Sequence, residues 1–435
     1  MNEAKCGKAS RKHTIIKALG ITALALLILV SIAGATQSTN VWFHKGSELM
    51  SSEKYNEAIK AFDKAIESNP RDSDAWYNKG LALDYLNKSD EAIKAYDKAI
   101  EINPHNSLIY LYNKGNTLSS SGKSDEAIKA YDKAIESNPQ YSIDWYNKGN
   151  TLSSSGKSEE AIKAYDKAIE SNPHYADAWN NKGNALISLG KFDEAIKAYD
   201  KVIEIKPQDS DAWTNKGITL TTLGKYNEAI KAFENVIEVN PQNSNAWIYE
   251  GNALTNLNKS DEAIKAYNKA IEINPNNSDA WTNKGLTLTI LGKYNEAIKA
   301  CDKAIEINPQ NSIAWTNKGN ALSKYSKFDE AIKAYDKAIE INPRNSMAWT
   351  NKGLILTFLG KYNEAIKACD KAIETNPHNS IAWANKGNIL SKFSKPDEAI
   401  KAYDKAIEIN PQNSAAWYNK AVTLDKLNKS NLQVK

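Results

Sequence analysis

The sequence is poor in the residues that most often build reactive or metal-binding sites. Its 435 residues include three cysteines, Cys6, Cys301 and Cys369, and five histidines. So few cysteines exclude a disulfide-stapled fold. Neither a phosphate-binding loop nor a zinc-binding spacing is present. The sequence therefore predicts a non-enzymatic protein that needs no cofactor and no metal.

An excess of one charge is also missing from the body of the chain. Residues 1–17 contain five basic residues and one acid, which equals the net charge of +4 for the whole protein, so residues 18–435 are neutral. A nucleic-acid-binding protein needs a basic face. We therefore expect no nucleic-acid partner.

Only one long uncharged apolar stretch occurs, at residues 18–35. As a helix it would span about 27 Å, enough for a bilayer core, and the basic head at 1–17 would keep the N-terminus in the cytoplasm. Two outcomes stay open. The segment is either a single-pass membrane anchor, which its length favours, or a signal peptide cleaved after Ala35, since Ala33-Gly34-Ala35 fits a cleavage site. The rest of the chain is extracytoplasmic in the first case and secreted in the second; residues 36–41 form a linker.

From residue 42 onward the sequence repeats itself every 34 residues. Tryptophan marks the register, and Leu111 replaces it once, after a one-residue insertion near residues 108–110. The tryptophans are Trp42, Trp76, Trp145, Trp179, Trp213, Trp247, Trp281, Trp315, Trp349, Trp383 and Trp417. We therefore predict eleven repeats over residues 42–416, followed by a C-terminal capping helix and tail at 417–435.

Each repeat has the pattern of two amphipathic helices. In the repeat from Asn277 to Pro309, Asn277 is a helix-capping residue, Gly292 suits the turn between the helices, and Pro309 ends the second one. The first stripe is Trp281, Gly285, Leu288 and Leu291; the second is Tyr294, Ala297, Ile298, Cys301, Ala304 and Ile305.

Helices this short are marginal alone, and each pair has apolar residues on more than one side. Each pair must therefore stack on its neighbours, which predicts an all-α solenoid. Stacking at about 8–10 Å per helix also separates Cys301 from Cys369 beyond disulfide reach.

These residues resemble the tetratricopeptide repeat family. Its marks appear here as Trp179, Gly183, Leu186, Ala195, Tyr199, Val202 and Pro207, and they recur through residues 42–430. The resemblance implies a right-handed superhelix whose first helices line a concave groove. Departures include Glu250 in place of the usual lysine, and Cys301 and Cys369 in place of an aromatic residue.

The groove is predicted to carry asparagines at two and five residues after the tryptophan. An amide side chain donates and accepts, so a row of them can bind the backbone of an extended segment without reading its sequence. The arrangement resembles the asparagine ladder of protein O-GlcNAc transferases; alternatively, the amides only tie neighbouring helices together. The candidates are Asn78, Asn113, Asn116, Asn147, Asn150, Asn181, Asn184, Asn215, Asn283, Asn317, Asn320, Asn351 and Asn385.

The residue directly after the tryptophan position is also predicted to face the groove. It is aromatic near the N-terminus, at Tyr77, Tyr112 and Tyr146, and mostly threonine later. Aromatic residues are favoured anchors at interfaces, although these rings could instead pack against neighbouring turns. Family members that grip a C-terminal carboxylate carry basic residues on their first helices, whereas Asp74 and Asp177 stand here, so we expect no such clamp.

Together these observations predict a membrane-tethered scaffold that binds extended segments of other proteins in its groove. Two alternatives remain: a surface spacer that self-associates end to end, and the regulatory arm of an enzyme whose catalytic part lies on another chain. Serine replaces leucine at Ser121 and Ser155, beside the insertion, so residues 108–160 are predicted to be the least stable part of the array.

Overall fold

A computed structural model describes residues 41–433 of the protein. The predicted basic head, the apolar segment at 18–35 and residues 36–40 of the linker lie outside these described residues. Within 41–433, none of the helices combines the length and apolar character that crossing a bilayer demands.

The described residues form 23 helices and no strand, which confirms the all-α solenoid. They divide into two compact bodies, the first ending at Pro207 and the second beginning at Gln208. The helices of the first body are α1 (41–51), α2 (Tyr55–Ser68), α3 (Ser73–Tyr85), α4 (Ser89–Ile102), α5 (Ser107–Ser120), α6 (Ser124–Ser137), α7 (Ser142–Ser154), α8 (Ser158–Ser171), α9 (Ala176–Ser188) and α10 (Phe192–Ile205).

The second body continues the same alternation of first and second helices. Its helices are α11 (Ser210–Thr222), α12 (Tyr226–Val239), α13 (Ser244–Asn256), α14 (Ser260–Ile273), α15 (Ser278–Ile290), α16 (Tyr294–Ile307), α17 (Ser312–Lys324), α18 (Phe328–Ile341), α19 (Ser346–Phe358), α20 (Tyr362–Thr375), α21 (Ser380–Lys392), α22 (Pro396–Ile409) and α23 (Ser414–Gln433). Odd-numbered helices begin a repeat and even-numbered helices complete it.

The repeat that contains α15 and α16 shows how the hairpin is built. The Asn277 side chain accepts hydrogen bonds from the backbone N–H groups of residues 279 and 280, which caps α15. The Trp281 indole donates to the Pro275 carbonyl at 3.1 Å and so fixes the preceding loop. Gly292, at φ +77°, reverses the chain, and the Lys293 N–H closes the turn on the Leu288 carbonyl.

Close contact between the two helices of a hairpin depends on a glycine four residues after the tryptophan. A Cβ on Gly319 would lie 2.5 Å from the ring of Tyr335, which is fully buried. Ala331, Ala334 and Ala338 complete this interface. The small residues let an aromatic ring fill the hairpin at close packing, as the spacing in the sequence indicates.

The one-residue insertion in the third repeat is accommodated before and within the first turn of α5. A short 3₁₀ turn, Pro104–Asn106, precedes the helix, and α5 is one residue longer than its counterparts α3 and α7. Leu111 is buried where other repeats carry tryptophan.

Asp144 is an unusual residue at the start of α7, next to the insertion. It is fully buried, and neither carboxylate oxygen has a hydrogen-bond partner. Counterparts in other repeats, such as Ala178 and Ala280, are alanine. Burial raises the pKa of Asp144 from 3.8 to about 6. At neutral pH this position therefore places a charge in a helix interface that elsewhere holds a methyl group.

Replacing Asp144 with alanine is expected to stabilise residues 108–160 at neutral pH. Because the folded-state pKa lies above the unfolded one, local stability is highest below about pH 4 and is lost as the pH rises through 6. A pKa near 6 rather than 3.8 corresponds to about 3 kcal/mol. Hydrogen exchange of wild type and Asp144→Ala, compared at pH 5 and pH 7.5, measures this difference.

The matched control is Asp125→Ala, which removes an exposed carboxylate from the neighbouring helix. This variant should exchange like the wild type at both pH values. Equal protection in wild type and Asp144→Ala at pH 7.5 would contradict the role given to Asp144, and uniform protection along the array would show that residues 108–160 are not its weakest part.

Candidate functional site

Each first helix leaves one side uncovered by the second helices, and we call this side the groove face. It consists of the residues two before and two, five and nine after the tryptophan position, a spacing that places them on one side of a helix. On α19 these are Met347, Asn351, Leu354 and Phe358. Leu354 is 51% exposed and Phe358 72%, whereas Asn351 is half-buried.

The prediction that the residue after the tryptophan faces the groove is wrong for α15, α17 and α19. Thr282, Thr316 and Thr350 are all at most 3% exposed. One residue along a helix turns the side chain by about 100°, which here points it into the next repeat. The Thr282 hydroxyl accepts a hydrogen bond from Asn311, the capping residue of α17.

The three tyrosines predicted as anchors are half-buried. The ring of Tyr77 packs at 4.9 Å from Tyr110, and burial raises the pKa of Tyr77 to about 12. Tyr146 packs in the same way on Tyr175, also at 4.9 Å. These contacts agree with packing between neighbouring turns, and a binding role for Tyr77, Tyr112 and Tyr146 stays a prediction.

The asparagines five residues after the tryptophan position form a repeated internal link. Asn116 Oδ1 accepts from the Tyr131 hydroxyl of its own repeat at 2.7 Å and from Asn147 Nδ2 of the next repeat at 3.0 Å. The same double acceptor recurs at Asn150 (Tyr165, Asn181), Asn252 (Tyr267, Asn283), Asn320 (Tyr335, Asn351) and Asn388 (Tyr403, Asn419). Asn184 accepts from Tyr199 at 2.8 Å.

Four other candidate asparagines, Asn78, Asn113, Asn317 and Asn385, lie outside this link, because the preceding repeat offers no such acceptor. Asn78 donates to the Asp74 carbonyl of its own helix, and Asn113 donates to the Tyr77 hydroxyl. Asn317 is buried and donates to the Thr282 carbonyl at 3.4 Å. Asn385 Nδ2 is buried without a partner among the described residues, since Leu354 stands where the acceptor would be. Asn215 is half-buried on α11.

Repeats that lack the asparagine of this link also tend to lack its tyrosine. Leu286 occurs with Cys301, Leu354 with Cys369, and Ile218 with Phe233. Both cysteines are buried free thiols, and burial raises the pKa of each to about 12, so neither is a reactive thiolate. Each cysteine therefore takes the place of a tyrosine whose hydroxyl would have no asparagine acceptor in that hairpin.

The internal link still leaves polar atoms on the groove face. In the Asn116–Asn147 pair, Asn116 Nδ2 and Asn147 Oδ1 have no hydrogen-bond partner among residues 41–433. Each linked pair thus offers one donor and one acceptor. This is the hydrogen-bonding pattern of a peptide unit, although the pair is already fixed by its role in the fold.

A second repeated contact involves the lysine three residues after the tryptophan. Lys352 Nζ lies 2.6 Å from Asp336 of the preceding second helix and 5.6 Å from the centre of the Trp349 ring. Glu250 breaks this pattern: one of its carboxylate oxygens is buried without a partner. Burial, and then the charges of Glu234 and Glu262, raise the pKa of Glu250 to about 7. This repeat therefore lacks the ion pair that Lys318 and Lys352 form with aspartates of the preceding second helices.

Sequence reasoning missed several exposed groove-face residues near the C-terminus. It considered the first turn of each helix for charge and overlooked Lys392 and Lys426 near the other end, together with Leu354 and Phe358. The signal was available, because nine residues after the tryptophan the chain has lysine only at Lys324, Lys392 and Lys426.

The stacked helical hairpins define the protein as an α-solenoid of the repeat class. Three family models of the tetratricopeptide repeat match the chain. The first matches residues 43–107, 146–210 and 214–278. The second matches residues 109–141, 278–311, 312–345, 346–379 and 380–413, and the third matches residues 402–435. The chain belongs to the tetratricopeptide repeat family. Among curated proteins no sequence matches it significantly.

Several solved structures are similar to this chain. The match to yeast Tom70 covers 92% of this chain and 96% of the Tom70 chain, at 16% sequence identity and a TM-score of 0.48. A tetratricopeptide repeat protein from Parabacteroides merdae covers 57% and 98%, at 18% identity and a TM-score of 0.49. YrrB, described as having an unusual peptide-binding site, covers 44% and 99%, at 26% identity and a TM-score of 0.35. None of these likenesses says what this chain binds.

Replacing Asn320 with alanine is expected to destabilise the α17–α19 region by about 1–3 kcal/mol, because it leaves the Tyr335 hydroxyl and the Asn351 amide without an acceptor. Tyr335→Phe should cost about 1 kcal/mol. The double variant should cost less than the sum, since both changes break one link. Local free energies from native-state hydrogen exchange test this.

Asn256→Ala is the control, since this exposed amide bonds only to a carbonyl of its own helix. It should change local stability by less than about 0.5 kcal/mol. Strict additivity of the Asn320 and Tyr335 effects would show that the link does not act as a unit.

Proposed function

We propose that the protein is a non-enzymatic scaffold that binds extended segments of other proteins along its groove faces. The observation that carries this is the pair of amide groups left at each Asn–Asn link, one donor and one acceptor, on a side that the second helices do not cover. The right-handed superhelical course implied by the family would align these pairs within each body.

The spacing of the amide pairs suits an extended chain. Stacked helices lie about 8–10 Å apart, and a strand advances about 3.3 Å per residue. One extended segment would therefore meet a new first helix about every three residues. Backbone recognition at this interval would tolerate many sequences, and side-chain selection would come from the other groove-face positions.

The aromatic residues of the first body would supply anchors in this scheme. Among the described residues, the hydroxyls of Tyr77 and Tyr146 accept from Asn113 and Asn181 but have no acceptor for their own protons. Both side chains are half-buried, so they would bind a segment without a large loss of side-chain freedom.

We propose further that residues 18–35 tether this scaffold to a membrane, with the array on the extracytoplasmic side. The support is the uncharged run behind a basic head. N-terminal sequencing of the protein from fractionated cells should find residues 1–35 intact and the protein in the membrane fraction after alkaline washing. A new N-terminus at Thr36 and a soluble product would establish cleavage instead.

A photo-crosslinking residue at Ile109 or Ile290 should capture partner proteins in cells. Both side chains are at least half exposed, so the substitution should not disturb packing, and both lie on a groove face. Mass spectrometry should place the crosslinked partner residues within continuous segments rather than scattered over a folded surface.

Lys163 and Lys299, which are exposed on second helices, are the control positions. They should give few crosslinks to the same partners. Equal capture from these lysines, or no capture from Ile109 and Ile290, would rule out the groove face as the binding surface.

A further inference from the structure

The composition of the groove face changes between α15 and α17. Two residues before the tryptophan, α11 and α15 carry Asp211 and Asp279, whereas α17 to α23 carry no acid there. These later helices have Ile313, Met347, Ile381 and Ala415 at that position and Lys324, Phe358, Lys392 and Lys426 eleven residues further on. The last four groove faces are therefore apolar at one end and free of acidic residues, and three of them, on α17, α21 and α23, are basic at the other end.

A cavity of about 400 Å³ lies on this surface between α19, α21 and α23. Leu354, Phe358 and Val422 form its apolar wall. Lys392 and Lys426 also line it. Asn388 Oδ1 in its lining already accepts from both the Tyr403 hydroxyl and the Asn419 amide.

The apolar wall is present at a cost to the fold. Leu354 replaces the asparagine of the internal link, which leaves the Asn385 amide without a partner, and it remains 51% exposed. Phe358 is 72% exposed, and its ring contacts only one other ring within residues 41–433, that of Phe328 at 4.8 Å. Both side chains remain at least half exposed despite these contacts, and adjacent exposed apolar residues on a protein surface mark binding sites.

The charges beside the cavity indicate the kind of ligand. Lys392 and Lys426 are exposed, and neither forms an ion pair with a described residue, whereas the nearby Lys386 and Lys420 each pair with an aspartate of a second helix. Two unpaired ammonium groups on successive helices favour carboxylates about three residues apart in an extended chain. The protein's own basic residues 1–17 have the wrong charge to fill this site.

We propose that the groove face of α19, α21 and α23 binds an extended segment of a partner protein that places a large apolar side chain in the cavity and acidic side chains beside Lys392 and Lys426. This inference rests on the proposed function and adds the chemical class of the segment. It also makes this end of the array selective, because the groove faces of α11 and α15 each carry an aspartate, and those of α11, α13 and α15 carry no lysine.

The proposal can be tested by fluorescence anisotropy with a labelled ten-residue peptide. The binding partner is the full-length protein, kept in detergent because of its apolar residues 18–35. The peptide contains one phenylalanine and one leucine between glutamates at every third position, with serine elsewhere. Two comparison peptides replace the glutamates by lysine or the two apolar residues by serine. The first peptide should bind at least about tenfold tighter than either comparison peptide, since burial of one large apolar side chain alone corresponds to roughly that factor.

Two variants locate the site. Phe358→Ala should weaken binding about tenfold at all salt concentrations, and the Lys392→Glu/Lys426→Glu double variant should weaken it most at low salt. Matched controls are Val239→Ala, an exposed apolar residue at the end of the second helix α12, and Lys299→Glu, an exposed lysine on a second helix. Both controls should bind like the wild type.

Two results would overturn the proposal: equal affinity for the glutamate and lysine peptides, or equal loss of binding in Val239→Ala and Phe358→Ala. Crosslinks from Ile109 and Ile290 decide how far the failure extends. If these crosslinks persist, only the acidic and apolar selectivity is wrong; if they are absent as well, groove binding itself is wrong. Retained binding by a peptide without apolar residues would show a purely electrostatic contact and would also refute the cavity's role.

Discussion

In five of the described repeats, one asparagine oxygen that accepts two hydrogen bonds joins the inside of a hairpin to the next hairpin. In repeats that have it, Oδ1 receives the hydroxyl of a buried tyrosine from the same hairpin and the amide of an asparagine from the next hairpin. A buried hydroxyl without an acceptor costs about 1–3 kcal/mol. The same atom therefore satisfies the core of one repeat and sets the register of the next, so that folding within repeats and stacking between them are coupled.

This coupling limits how the groove face can vary. A repeat that exchanges its asparagine for leucine or isoleucine must also remove the tyrosine hydroxyl, as Cys301, Cys369 and Phe233 show. Where the asparagine is replaced but the tyrosine is kept, the tyrosine hydroxyl loses its acceptor. Tyr96 has a buried hydroxyl without a partner because Leu81 stands in the acceptor position. An apolar residue at this groove-face position therefore either is accompanied by a change inside the hairpin or leaves a buried hydroxyl without a partner.

Most of the fold could be predicted from the sequence, because tryptophan, glycine and proline recur at spacings that only a helical hairpin satisfies. The groove was predicted less well. Periodicity places Thr282 and Asn283 one residue apart but does not say which of them the next repeat covers. The Asn–Tyr spacing of 15 residues was visible, yet only the distances show that these amides bond inside the protein. Asp144 and Glu250 were visible as departures, but their lack of partners depends on the surrounding side chains.

Departures from the repeat pattern fall into two groups with different physical meaning. Asp144 and Glu250 lie in helix interfaces, where a partnerless carboxylate destabilises the array and gives a ligand little access. Phe358, Lys392 and Lys426 lie on the groove face, where they are exposed and neither fill the core nor pair with a described acid. Packing explains the near identity of the repeats. It does not explain this second group, and for that reason we propose that these residues contact a partner segment.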